Sequence, residues 1–381
     1  MTKLILSLAF ALATALGCLA QEGARVVSKT FDSTDFPFDR EILIYLPDEY
    51  DNATESEYDV VYVFDSQWRS RFDLVHSLLN YEVQDENEDV RPYIVVGITS
   101  PSIPEHQYCR SNDFLPVPEH VTLQSPYYGS ADKFKKFLGE TVMPYIDSNY
   151  RTTGHTLGVG HSLGASFVIY AMTTSELFDD CIALSPNMEY DNDSFAEYFI
   201  NYNFATSNPR YIYLSMANES ESTGWPATWR PAWNRVRSFI EDSTIPAHIR
   251  ISVSEFPEYS HNKSYLPALT ESLGQYAAYR HTNIRTDKQL YPVHIELTSE
   301  SVEGDVYITG DQEATAIWNP SGVRMNRIDD NTYAIDLELN LPAEFKFTQG
   351  SWDSQLTPAN AVPGNLCISR PTNATRHYKT F

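Results

Sequence analysis

The segment Gly158-Val-Gly160-His161-Ser162-Leu163-Gly164-Ala165 restricts this chain more than any other. It follows the apolar run Leu157-Gly-Val-Gly160 and precedes helical spacing over 165–172. Glycines on both sides of a serine, between a buried strand and a helix, form a turn too sharp for bulkier residues. Such a turn lifts the Ser162 hydroxyl clear of the backbone. It also points the Leu163 N–H and the helix N-terminus at the space beside it, where negative charge is favoured. A bare Gly-x-Ser-x-Gly occurs often by chance, but the flanking strand and helix supply the context the motif needs. Ser162 is the candidate nucleophile, and the Leu163 N–H is a candidate oxyanion donor.

The surrounding pattern fits that turn. Val60-Val-Tyr-Val-Phe64 and Tyr93-Ile-Val-Val-Gly97 are continuous apolar runs of the kind buried on both faces of a parallel sheet. Further strands are predicted at Arg40-Glu-Ile-Leu-Ile-Tyr-Leu46, Cys181-Ile-Ala-Leu184, Tyr211-Ile-Tyr-Leu214 and Ile249-Arg-Ile-Ser-Val253. Helical spacing appears over 131–145, 165–172 and 233–241. Strands and helices alternating in this way predict a mostly parallel α/β sheet up to about residue 280. After a polar stretch over 281–292, short alternating runs separated by turn signals predict a small all-β sandwich over 293–381.

Lys3 followed by an apolar run over 4–17, then Cys18-Leu-Ala20 before Gln21, predicts a secretory signal over 1–20. The alternative is a lipoprotein attached at Cys18, for which Ala15-Leu16-Gly17 is a poor match. The expected location is therefore periplasmic or secreted, with no membrane span. With 51 acidic and 27 basic residues, a net charge of −24 disfavours nucleic acid and anionic membrane as partners. It also disfavours anionic substrates, unless a local basic pocket overrides it. No Cys-x-x-Cys or His-Glu-x-x-His pattern occurs, so neither a metal nor a cofactor is expected.

A serine nucleophile needs a base, and in this kind of sheet the chain order is serine, acid, histidine. Of the five histidines after Ser162, His261 lies in a loop just past the last α/β strand, where a base belongs; His248 precedes that strand. The acid should follow the strand at 211–214. Ser215-Met-Ala-Asn218-Glu219-Ser-Glu221 offers two carboxylates, and spacing alone leaves Glu219 and Glu221 tied. The second oxyanion donor should come from Asp65-Ser66-Gln67-Trp68, after the strand at 60–64, with Ser66 or Gln67 best placed. Trp225, Trp229 and Trp233, between acid and base, suggest an aromatic cap over the pocket, though packing explains them equally well.

Residues 25–280 resemble the esterase D-type group of α/β-hydrolases, which includes feruloyl esterases, siderophore esterases and mycolyltransferases. The resemblance rests on Val60-Val-Tyr-Val-Phe-Asp65, Val96-Gly-Ile98, Arg110-Ser-Asn-Asp113-Phe-Leu-Pro116, Tyr150-Arg-Thr-Thr-Gly154, Gly160-His-Ser-Leu-Gly164 and Ser215-Met-Ala-Asn-Glu219. It implies an α/β-hydrolase fold over 21–280, with Ser162 as nucleophile and His261 as base, and it tips the acid toward Glu219. Gln67, Trp68, Arg110, His161 and Trp225 are further candidate pocket residues, and Ser66 is taken as the second oxyanion donor. Where the group often has Asp-Gly this chain has Asp65-Ser66, and Ala165 replaces a second glycine after the turn. Residues 293–381 resemble starch- and glycogen-binding β-sandwiches, through Val306-Tyr-Ile-Thr-Gly310, Trp318-Asn-Pro320 and Phe345-Lys-Phe-Thr-Gln-Gly-Ser-Trp352. That resemblance makes Trp318 and Trp352 candidate sugar platforms.

The expected activity is hydrolysis of a carboxylic ester through an acyl-enzyme. The substrate would be a small-molecule or glycan-linked ester, with polysaccharide as a partner of the sandwich. An acyltransferase of the same fold, and a non-catalytic carbohydrate-binding protein on a hydrolase scaffold, are the alternatives.

Overall fold

A computed structural model describes residues 24–32, 35–51, 53–83, 91–120, 129–208, 210–282, 289–357 and 364–380. The expected signal segment and Cys18 lie outside the described residues. The central sheet has eight strands: β1 (Arg25–Phe31), β2 (Arg40–Leu46), β3 (Tyr58–Val63), β4 (Tyr93–Ile98), β5 (Thr152–His161), β6 (Asp180–Leu184), β7 (Arg210–Ala217) and β8 (Ile249–Phe256). They lie in the order β1-β2-β4-β3-β5-β6-β7-β8. β1 and β2 run antiparallel at one edge, and β4, β3, β5, β6, β7 and β8 pair in parallel.

Eight helices cover the sheet: α1 (Arg69–Val83), α2 (Arg110–Phe114), α3 (Ala131–Phe137), α4 (Met143–Asn149), α5 (Leu163–Ser175), α6 (Tyr190–Ile200), α7 (Trp229–Asp242) and α8 (Tyr265–Thr282). Alternation along β3 divides the core into two layers, because successive side chains leave a strand on opposite faces. Val60, Tyr62 and Phe64 face the layer that holds Phe134, Phe167, Phe195 and Trp233. Val61 and Val63 face the layer packed by α1 and α8 through Phe72, Val75, Leu269, Leu273 and Tyr276. Both faces of the sheet are thus buried, which is why its middle strands read as unbroken apolar runs. The helix predicted over 131–145 is instead α3 and α4, joined by a π-helical turn over Leu138–Val142.

The C-terminal strands are β9 (Leu290–Ser299), β10 (Tyr307–Gly310), β11 (Val323–Arg324), β12 (Asn326–Arg327), β13 (Thr332–Asn340), β14 (Ala343–Thr348), β15 (Gln355–Leu356), β16 (Leu366–Ile368) and β17 (Arg376–Thr380). They form two sheets, β12-β13-β9-β17 and β11-β10-β14-β15, with β16 on β14. Ile295, Leu297, Ile308, Tyr333, Phe345 and Phe347 share the core between them. β9 begins at Leu290, inside the stretch predicted as linker. Cys109, Cys181 and Cys367 are all free thiols, so no Cys109–Cys367 disulfide forms.

The β region is clamped to the N-terminal ends of the parallel strands. The Glu57 N–H donates to Cys367 O at 3.1 Å, the Ser369 N–H to Glu57 Oε2 at 2.7 Å, and Arg370 Nη2 to Thr152 O at 2.9 Å. At the centre is Asp59, 1% exposed, which pairs with Arg91 and with Arg280 at 2.9 Å. Arg91 also reaches Glu344 Oε1 on β14 at 3.3 Å. Burial alone would raise the Asp59 carboxyl, but Arg280 and Arg91 outweigh it and hold it well below the usual carboxylate range. Among the described residues, no helix is long and apolar enough to cross a membrane.

The loop after β2 contributes Ala53 to the C-terminal core and buries Glu49. Burial pushes the Glu49 carboxyl up to about 7. The folded chain therefore keeps a proton that the unfolded chain has released, and stability is lost as pH rises through that value. Glu49→Gln removes this titration. The gain in melting temperature of the variant over wild type should widen between pH 5 and pH 8; the same gap at both values would refute the assignment.

Candidate active site

Ser162 sits between β5 and α5 with φ 59 and ψ −126, backbone that an L-residue rarely adopts. The turn is held from both sides. The Ser162 N–H donates to Leu184 O at 2.9 Å, and the Ser166 N–H to Ser162 O at 3.1 Å. Gly160 has no alternative here, because a Cβ on it would lie 2.3 Å from Gly164 O. Gly164 is restricted by Asp65, whose Oδ2 would stand 3.1 Å from an added Cβ. Leu163 opens α5, so its N–H has no acceptor within the helix.

His261 and Glu219 come from the loops after β8 and β7. His261 Nδ1 lies 2.6 Å from Glu219 Oε1, and Glu219 is 0% exposed. A carboxylate can only accept, so Nδ1 carries the proton and Nε2 keeps a free lone pair. The two loops are tied together, since the Asn218 N–H donates to Tyr259 O at 3.0 Å. Glu221, two residues beyond Glu219, is exposed to solvent. His161 links the pair to the Ser162 turn. Its Nε2 is 2.9 Å from His261 O, which accepts, and the two rings are 4.6 Å apart. Burial, reinforced by Arg71, His261 and Arg110, keeps His161 well below the ordinary histidine range, so it stays neutral. The Trp225 ring lies 4.5 Å from that of His261, and Trp229, 4.7 Å from Trp225, lies 6.2 Å from the His261 ring. No hydrogen bond joins Ser162 Oγ to His261 Nε2, a contact that commonly tightens only with substrate bound.

A family model described as "Putative esterase" matches residues 33–254. The chain belongs to this esterase family. Solved structures of the same fold include an IroE-like serine hydrolase from Shewanella oneidensis, at 23% identity and a TM-score of 0.56, aligned over 67% of this chain and 80% of that one. A siderophore hydrolase, EstA, from Aspergillus nidulans aligns at 20% identity and a TM-score of 0.53, over 67% of this chain and 94% of its own. The BES protein from Bacillus cereus aligns at 22% and 0.55, over 67% and 94%. No curated protein matches the sequence. The protein is an esterase of the α/β-hydrolase fold.

The remaining sequence expectations on this esterase divide. Ser66 does not supply the second oxyanion donor: its N–H donates to Ile98 O at 3.0 Å, extending the sheet beyond β3. The Gln67 N–H, next along the same turn, has no acceptor among the described residues. The Gln67 side chain is engaged, with Nε2 on Asp65 at 3.1 Å and Oε1 accepting from Ser100 N–H at 2.8 Å. Arg110 grips both Asp65 oxygens, at 2.6 and 2.5 Å, and lies 3.4 Å from His161 O. It therefore joins the Asp65–Trp68 loop to the Ser162 turn. Trp68 is 48% exposed beside it, and Trp225 is half-buried over His261. Trp318 and Trp352 are in the C-terminal sandwich, which docks at the opposite end of the sheet; neither joins this site. Sequence reasoning missed Arg71, whose guanidinium stacks on Tyr265 at 4.4 Å and faces Trp68 at 5.5 Å. A lone arginine in the first turn of a helix gives no signal of its own.

Because the Ser162 turn depends on contact between residues 160 and 164, Gly160→Ala should cost about 1–3 kcal/mol or more through overpacking. The expected result is a lower melting temperature together with lost esterase activity. An unchanged melting temperature would show that the turn has slack.

Proposed function

We propose that this protein is an exported serine carboxylic-ester hydrolase that works through Ser162, His261 and Glu219. The observation that carries the reading is the buried 2.6 Å His261–Glu219 pair, anchored through His161 beside the strained Ser162 turn. Ser162 Oγ attacks the ester carbonyl carbon while its proton passes to His261 Nε2. The developing oxyanion is held by the N–H groups of Leu163 and Gln67 at the end of α5, where the helix dipole also favours it. His261 then returns the proton to the departing alcohol, leaving an acyl-Ser162. Water, deprotonated by the same histidine, attacks the acyl carbon and releases the acid. Glu219 fixes the tautomer and stabilises the imidazolium.

The substrate class follows from two arguments. Two of the fold relatives reported above are described as siderophore hydrolases or IroE-like hydrolases. The sandwich, with Trp318 and Trp352, stands at the other end of the sheet and so offers no surface continuous with the site. Siderophore esters and other small soluble esters are therefore preferred over acyl or feruloyl groups on a polysaccharide. Export rests on the apolar N-terminal run over 4–17 and the small residues before Gln21.

Ser162→Ala should lower turnover of p-nitrophenyl acetate and butyrate by roughly three orders of magnitude or more. Glu219→Gln should reduce kcat by roughly a hundredfold or more with KM little changed, since it disturbs the base and not the binding surface. Wild type inactive on both esters, or Ser162→Ala as active as wild type, would sink the proposal.

A further inference from the structure

Arg71 stands in the first turn of α1, three residues after Trp68 on the loop that carries Asp65 and Gln67. Its guanidinium lies over the Tyr265 ring, and Tyr265 meets the His161 ring edge-on at 5.4 Å. The cation is thus one aromatic ring away from the residue that precedes Ser162. Its other neighbour, Trp68, is shared with Arg110, whose guanidinium is 5.3 Å from the same indole.

The two arginines are in different states. Arg110 is neutralised by both oxygens of Asp65. Arg71 has no carboxylate within ion-pair distance among the described residues, and its Nη1 is buried with no hydrogen-bond partner. Arg40, Arg91, Arg210 and Arg376 each also bury one unmatched donor, but each pairs with a carboxylate, whereas Arg71 pairs with none among the described residues. Its field reaches the site: after burial, Arg71 is the largest cause of the depressed basicity of His161. The flanking Trp68 and Tyr265 rings add cation–π contact, while Arg71 itself stays partly exposed and open to an acceptor.

We propose that Arg71 is the anion-recognising residue of the pocket, and that the natural substrate is an ester bearing a carboxylate or similarly compact oxyanion close to the scissile bond. This rests on the reading of Ser162 as an ester-hydrolysing nucleophile. A guanidinium presents donors in a planar fork that fits two oxygens of one anionic group, and a charge-assisted pair of this kind fixes the orientation of the ester. The anion is held alike before and during acyl transfer. Its contribution therefore falls mainly on KM, not on kcat.

The test uses the full chain and two matched pairs of esters. One pair places the charge on the alcohol side: 4-acetoxybenzoate against 4-acetoxybenzamide. The other places it on the acyl side: mono-p-nitrophenyl adipate against p-nitrophenyl hexanoate. Wild type should prefer the anionic member of at least one pair in kcat/KM, and which pair does so identifies the side that bears the charge. Arg71→Gln should cut that anionic-to-neutral ratio by about tenfold to a hundredfold, chiefly through KM, as loss of one charge-assisted contact implies. Arg71→Lys should restore part of the ratio, since it keeps the charge but not the fork. Wild type with no anionic preference in either pair, or Arg71→Gln with an unchanged ratio, overturns the proposal. If Arg71→Gln does not fold, the wild-type ratio and the Arg71→Lys ratio decide. The esterase reading is judged separately on the neutral esters: Ser162-dependent turnover of those keeps it standing even when the anion preference is absent. No turnover of any of the four overturns both.

Discussion

The site depends on one backbone constraint, the positive φ at Ser162. A residue held in such a conformation costs of order 1–3 kcal/mol and persists only where its surroundings over-determine it. Here they do so from three directions. The Leu184 carbonyl takes the Ser162 N–H, Gly160 and Gly164 touch in a way that admits no Cβ, and Asp65 stands over the start of α5. Arg110 then carries the constraint outward, joining Asp65 to the carbonyl of His161. His161 passes it to the loop of His261, and Glu219 completes the chain of contacts. Neutral His161 is part of this device, because its Nε2–H can hold the His261 carbonyl without adding a positive charge beside the His261 ring.

The opposite end of the sheet solves a different problem. Asp59, Arg91, Arg280 and Glu344 are all buried, and their charges are matched across the junction between the parallel sheet and the C-terminal sandwich. Buried ion pairs contribute little net stability, but removing one partner is expensive, so they define how two surfaces fit. The seam uses strand N-termini, leaving the strand C-termini, where a parallel sheet presents its ligands, entirely to the loops of the site. The sandwich therefore packs against the strand N-termini, away from the Ser162 turn.

This division explains what the sequence made legible. The Ser162 turn and the β3 and β4 runs are local patterns, and they appear where local reasoning put them. His261, chosen by chain order and its place after β8, stands beside Glu219. Glu219 and Glu221 could not be separated by spacing, because they differ only in which one the β7 loop turns inward toward His261. Ser66 and Gln67 are adjacent, and the choice between them depends on how far the β3–β4 ladder extends, which is a long-range pairing. Arg71 was invisible for a similar reason: its meaning comes from the carboxylate it lacks, and a sequence does not display missing partners. The positions of Trp318 and Trp352 relative to the site depended on a docking geometry that no motif encodes.

The acidic surface and the proposed cation belong to the same argument. A chain carrying a net charge of −24 repels anions at long range, and salt at physiological strength screens that repulsion over about 8 Å. Steering therefore cannot deliver an anionic ester; recognition has to happen at contact. A guanidinium set between Trp68 and Tyr265, with one donor already stripped of water, is suited to that task, since its attraction is strong at short range and faint beyond the pocket. Arg110 could not do the same. Asp65 cancels its charge, and releasing it would loosen the turn that holds Ser162. On the proposed reading, two arginines within reach of one indole serve opposite ends, Arg110 neutralised beside the Ser162 turn and Arg71 left charged for the substrate.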